Sequence, residues 1–157
     1  MQVIPIPCLV DNYAYIINDN ISKAVAVVDP SEASPVIEFL KKQNLKLDYI
    51  LNTHHHYDHI GGNIELKKLY NAKVIGFAGD KNRIPGIDIA LEDNVKWTFG
   101  KSSVKILHIP GHTLGHICFF FEISITTIIF YTKFCIFIGI FMATIDFCVS
   151  RKLFYFI

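Results

Sequence analysis

The chain has 157 residues, 52% of them hydrophobic, and a net charge of +1, which fits one domain able to bury a core. Its charges are scattered and no Lys/Arg block occurs, so nucleic acid is excluded as an expected partner. Cys8, Cys118, Cys135 and Cys148 form neither a CxxC pair nor a secreted disulfide framework, and the expected setting is reducing: cytoplasmic, with the mitochondrion as the alternative.

The opening M-Q-V-I-P-I-P-C lacks a basic region before a long apolar run and does not read as a secretory signal. V-I-P-I within it is a short strand. N-Y-A-Y-I-I, a turn at Asp19-Asn20 and K-A-V-A-V-V predict a hairpin that ends at Asp29-Pro30. Ser34 followed by Pro35 predicts an N-cap and first turn, continued by the amphipathic helix V-I-E-F-L-K-K. L-D-Y-I-L-N predicts a buried strand running into T-H-H-H-Y-D-H-I-G-G at 53–62. N-I-E-L-K-K-L-Y is a second helix, capped by Asn63 or Gly62, and A-K-V-I-G-F another strand. Residues 78–93, with Pro85 and Gly86, read as loop. V-K-W-T, S-V-K-I-L-H-I and I-C-F-F-F read as strands, the last two separated by P-G-H-T-L-G-H. Strands alternating with helices predict a layered α/β fold over residues 1–121.

Residues 122–157 differ in kind. Ten of the 13 phenylalanines follow residue 116, and Glu122, Lys133, Asp146, Arg151 and Lys152 are the tail's only charges. The run 123–145 has about the roughly 20 residues that cross a bilayer. Lys133 at its middle costs roughly 3 kcal/mol there, and three threonines dilute it, so a membrane segment is the lesser expectation.

The chemistry is concentrated at 53–62. Histidine is the commonest protein ligand for zinc and similar metals, and aspartate suits harder positions. His54 and His56 are two apart, so in an extended loop their side chains point the same way and His55 points elsewhere. Asp58 and His59 sit at the turn into the next helix, where they cannot easily join the first pair but can serve a second ion beside it. Two ions roughly 3.5–4 Å apart can share and activate a water. His112, on a glycine-bounded loop, supplies the first ion's third ligand. His55 and His108 read as ordinary loop and strand-end residues. His116 reads as a group that orients the loop rather than a ligand. Asp11 and Asn12 lie near the site, and Asp29 is either a support for it or a turn residue.

T-H-H-H-Y-D-H matches the T-H-x-H-x-D-H signature of the metallo-β-lactamase superfamily. With I-P-C-L-V-D-N-Y-A-Y-I-I, A-V-V-D-P and I-P-G-H-T-L-G-H-I-C-F-F, in order over residues 1–121, the chain resembles glyoxalase II, the hydroxyacylglutathione hydrolases. That resemblance implies an αβ/βα sandwich with metals at one edge. It implies hydrolysis of S-D-lactoylglutathione, a glutathione thioester, to D-lactate and glutathione in methylglyoxal disposal. His54, His56 and His112 would hold the first metal, and Asp58 and His59 the second. Asp58 would also position a bridging hydroxide that attacks the thioester carbonyl. Two zinc ions are implied for the intact family site, the second being incomplete here, and iron or manganese can substitute.

Beyond I-C-F-F-F the resemblance stops. The family's G-D-T-L-F-like segment with its metal-bridging aspartate, its later histidine and its basic glutathione-binding region have no counterpart in 122–157. Only the N-terminal part of the fold is therefore expected, followed by an atypical hydrophobic tail. The tail's bias is what an intron read through, or a gene read past an exon end, produces; a splice form with an apolar anchor and a divergent domain are the alternatives. Three functions follow: the thioester hydrolase, which as a truncated chain need not be active; a non-catalytic metal-binding or membrane-associated fragment; and a mono-iron persulfide dioxygenase on a related scaffold.

Overall fold

Alternating apolar residues from the first position onward set up a hairpin. β1 (Gln2–Cys8) pairs antiparallel with β2 (Asn12–Asn18), in the computed structural model, which describes residues 1–124 and 152–156. β2 pairs antiparallel with β3 (Val25–Val28), whose four residues are all buried. A fully apolar strand suits the interior of a sheet covered on both faces, and β3 has that place. β4 (Tyr49–Leu51), β5 (Lys73–Phe77) and β6 (Ile87–Leu91) continue the sheet in parallel, giving the order β1-β2-β3-β4-β5-β6.

Side chains of β3 alternate between two cores, as strand geometry requires. Val25 and Val27 join Ile16, Ile50 and Val74 beneath Val36 and Leu40 of α1 (Ser34–Lys42) and Leu66 of α3 (Asn63–Tyr70). Ala26 and Val28 join Ile17, Leu51 and Ile75 against a second sheet. That sheet contains β7 (Lys96–Phe99), β8 (Ser102–His108) and β9 (Ile117–Ser124), and it contributes Phe99, Val104, Ile106, Phe119 and Phe121 to the shared core. β10 (Lys152–Phe156) pairs antiparallel with β9, so the order is β10-β9-β8-β7. The described layers are helices, sheet and sheet, the expected mixed α/β sandwich in its N-terminal part.

Four local expectations are corrected. Residues 78–93 are not one loop: Ala78–Asp80 is a 3-10 turn and β6 occupies Ile87–Leu91. The I-D-I-A-L alternation places Ile89 and Leu91 against the inter-sheet core, a signal masked by the preceding Pro85-Gly86. Ser34 is the first helical residue rather than a cap; Ala33 precedes it and no side chain caps the helix, although Pro35 is in the first turn as expected. A short helix α2 (Tyr57–Ile60) interrupts the segment read as loop. β9 extends to Ser124, past the end of the strand read as I-C-F-F-F. Most of the 123–145 run read as a membrane candidate lies outside the described residues, as does Asp146. No helix among the described residues is long and apolar enough to cross a membrane.

Candidate metal centre

Because β3, β4 and β5 are parallel, the segments that follow them emerge at one sheet edge, where parallel sheets bind ligands. Asp29 follows β3, Asn52–His54 follow β4, and Asp80 follows β5. The connection between β8 and β9 arrives at the same edge from the other sheet. Ile117 N donates to Thr53 O at 2.9 Å and fixes that approach.

Two glycines make the edge compact. A Cβ on Gly61 would lie 2.2 Å from Ser31 O, and one on Gly62 would lie 2.9 Å from the Glu32 carbonyl carbon. Backbone therefore packs on backbone between the turn after Asp29 and the end of α2. Gly62 N donates to Pro30 O at 2.8 Å across this junction. Buried Asn52 and Asn63 brace the turn from below, with Asn52 Nδ2 donating to His59 O at 3.0 Å.

His54, His56 and His112 converge, each offering a ring nitrogen within 4.8 Å of the others. His56 Nδ1 and His112 Nε2 are 3.0 Å apart. His54 is 2% exposed. Its Nδ1 lies 3.0 Å from Thr53 Oγ1, and its Nε2 is buried with no hydrogen-bond partner. Thr53 Oγ1 gives its one proton to Asp29 Oδ2 at 2.6 Å. His54 Nδ1–H is therefore the donor to Thr53, and Nε2 carries the lone pair. Burial first, then the imidazoles of His59, His116, His56 and His112, push the His54 pKa down to about 3. His56 is lowered too, by burial and then by His112. A buried, unpartnered nitrogen costs free energy unless something takes it. Three converging imidazoles of this kind fit a divalent cation.

Beside His54, whose ring centroid is 4.1 Å from that of His59, Asp58 Oδ2 and His59 Nε2 are 3.3 Å apart. Burial opposes the Asp58 charge, but Asn12 Nδ2, donating at 3.0 Å, and the His59 ring outweigh it and hold the carboxyl below its ordinary range. Burial likewise opposes protonation of His59, whose Nδ1 is 3.0 Å from Asp29 Oδ2; Asp29 and Asp58 outweigh it and raise the pKa. Asp29, His54 and His59 form a second group of close donors. Asp29 also accepts from Thr53 N at 2.8 Å, so its oxygens are already engaged.

The five residues singled out in the sequence thus meet at this edge, as a histidine trio with Asp58 and His59 beside it. His55 turns away, its Nδ1 2.7 Å from Asp80 Oδ2. His108 donates from Nε2 to Leu114 O at 2.7 Å and stacks on Phe77. The His116 ring centroid is 4.6 Å from that of His54, outside both donor groups. Asp29 is both things it was read as: a turn residue, with φ of 47°, and a support. Sequence reasoning gave no role to Thr53, although the motif contains it, and none to Asp80, which stands in no motif.

The metallo-beta-lactamase superfamily model matches residues 9–130. The hydroxyacylglutathione hydrolase of Pelagibacter ubique is 58% identical over 121 residues, 77% of this chain and 51% of that protein. Its namesake from Methylococcus capsulatus is 48% identical over 122 residues, 78% and 48% of the two chains. The chain spans about half the length of these curated relatives. Among solved structures, the BLEG-1 B3 metallo-beta-lactamase is similar with a TM-score of 0.68 at 23% identity, over 76% of this chain and 67% of that one. ETHE1 from Myxococcus xanthus gives 0.64 at 23%, over 77% and 54%. At such identities the likeness is one of fold. With a family match running from the β1–β2 turn past β9, over the same layers and the same histidine edge, the chain belongs to the metallo-beta-lactamase superfamily.

Proposed function

We propose that residues 1–121 form the metal-holding part of a hydrolase that cleaves the thioester of an S-(2-hydroxyacyl)glutathione. S-D-lactoylglutathione is the substrate proposed, with glutathione and D-lactate as products. The observation that carries this is the convergence of His54, His56 and His112 beside Asp58 and His59, in a chain 58% identical over 121 residues to a hydroxyacylglutathione hydrolase. Zinc is the proposed metal, since three neutral imidazoles suit it; iron or manganese would use the same donors. When bound, the metal supplies Lewis acidity at the thioester carbonyl and a water of lowered pKa.

The chain's own residues have separate tasks. His54, through Nε2, with His56 and His112 would hold the first ion. Asp29 keeps the Nδ1 proton of His59 and turns its Nε2 toward Asp58. Asp58, kept ionised by Asn12, would hold the second ion and position the attacking water. The departing thiolate is a good leaving group, so a strong general acid is unnecessary. The setting proposed is the cytoplasm, read from cysteines whose spacing in the sequence forms no secreted disulfide framework.

One further reading is a metal-binding protein without turnover: beside the trio stand Asp58 and His59, fewer donors than a tightly held second ion needs, and Asp29 is already engaged by Thr53. Hydrolysis separates the two. Purified chain with zinc is expected to release thiol from S-D-lactoylglutathione faster than zinc alone, with His54→Ala reducing the rate to that background. No rate above zinc alone, with zinc bound, would overturn the hydrolase reading for this polypeptide.

A further inference from the structure

His55 stands between two members of the histidine trio yet takes no part in it. Its Nδ1 is 2.7 Å from Asp80 Oδ2, and the Asp80 side chain is 0% exposed. The other Asp80 oxygen pairs with the Arg83 guanidinium. Gly115 bears on the same carboxylate: a Cβ there would lie 2.1 Å from Oδ1 and 2.5 Å from Oδ2. One buried carboxylate therefore touches the segment after β4, the turn after β5 and the loop from the second sheet. His56 is the next residue after His55, and His112 is three before Gly115.

We propose that Asp80 is a positioning residue, which through His55 and Gly115 holds the two ligand-bearing loops at the separation that lets His56 and His112 share one ion. A buried carboxylate costs desolvation, and an apolar side chain would fill the same space without fixing direction. Two donors and a glycine contact aim this one at both loops. Arg83, three residues along the same turn, supplies the countercharge. The inference rests on His54, His56 and His112 holding a metal and is independent of the substrate.

Cobalt titration of the full chain, followed by its ligand-field bands and a competing chelator, tests it. Asp80→Asn and His55→Ala are each expected to weaken cobalt binding roughly 10- to 100-fold. The double variant is expected to be no weaker than either single, because both break one link. His55→Asn, which keeps a donor for Asp80, restores affinity, and Gly115→Ala weakens it by crowding the carboxylate. Val36→Ala, on the buried face of α1, lowers thermal stability and leaves affinity unchanged. Parent-like affinity and spectra in Asp80→Asn and His55→Ala, with only stability reduced, would show Asp80 to be structural and overturn the proposal. Should Asp80→Asn not fold, His55→Ala and Gly115→Ala carry the same outcomes. A parent chain that binds no cobalt removes the metal reading and this inference with it.

Discussion

Thr53 has one hydroxyl proton, and the centre depends on where it goes. It goes to Asp29, which leaves Thr53 Oγ1 to accept from His54 Nδ1 and sets the tautomer that frees Nε2. Thr53→Val preserves shape and removes this link. Asp29 Oδ2 keeps His59, but the buried His54 Nδ1–H loses its acceptor, which is expected to cost about 1–3 kcal/mol in urea unfolding. Zinc affinity in a chelator competition falls roughly 10- to 100-fold; unchanged affinity would deny Thr53 the role. At this scale the sequence was only partly legible. Spacing separates His54 and His56 from His55, because alternation along an extended loop is a property of the backbone. Spacing says nothing of which carboxylate lies behind a ring. Asp80 reaches His55 from 25 residues away through a turn that no motif marks.

The elements meet where glycine permits it and where aromatic side chains fill the gap. Gly61→Ala sets a methyl against the Ser31 carbonyl, a backbone atom that cannot swing aside. Overpacking of about 1–3 kcal/mol is expected, read as a lower urea midpoint. Phe121, fully buried between the sheets, is expected to cost about 3–5 kcal/mol as Phe121→Ala. Asp19 joins the β2–β3 turn to the β7–β8 turn by accepting from Ile21 N, Ser22 Oγ and Lys101 N. Burial alone would raise its pKa; these donors together outweigh burial and lower it. A folded pKa below the unfolded value of about 3.9 gives stability that is present above that value and lost as pH falls through the folded one. Asp19→Asn should therefore be less stable than the parent at neutral pH, with the gap narrowing in acid. A gap constant from pH 7 to pH 3 would exclude this. Most elements were legible because period-two and helical patterns report burial directly. β6 was not: Pro85-Gly86 opens a strand there, and punctuation alone does not tell a strand's start from a loop.

At the scale of the molecule, two sheets and a helical layer deliver histidines from distant parts of the chain to one edge. The parallel strands β3, β4 and β5 bring Asp29 and the 53–59 segment together, and β8 and β9 carry His112 across. A ligand that binds only the folded chain must stabilise it. Zinc at about 100 times its Kd is expected to add about 2.7 kcal/mol to unfolding, reversed by EDTA. The overall layering was legible because strands and helices alternate in sequence. The pairing of Lys152–Phe156 with β9 was not, since an apolar run of that composition suits several structures. The most direct measurement is zinc content with X-ray absorption at the zinc edge on the full chain and on His112→Gln. One zinc per chain with three imidazole nitrogens at about 2.0–2.1 Å is expected, lost in the variant. A chain that purifies and titrates free of zinc, or a variant that keeps the same three-nitrogen spectrum, would contradict a centre built on His54, His56 and His112.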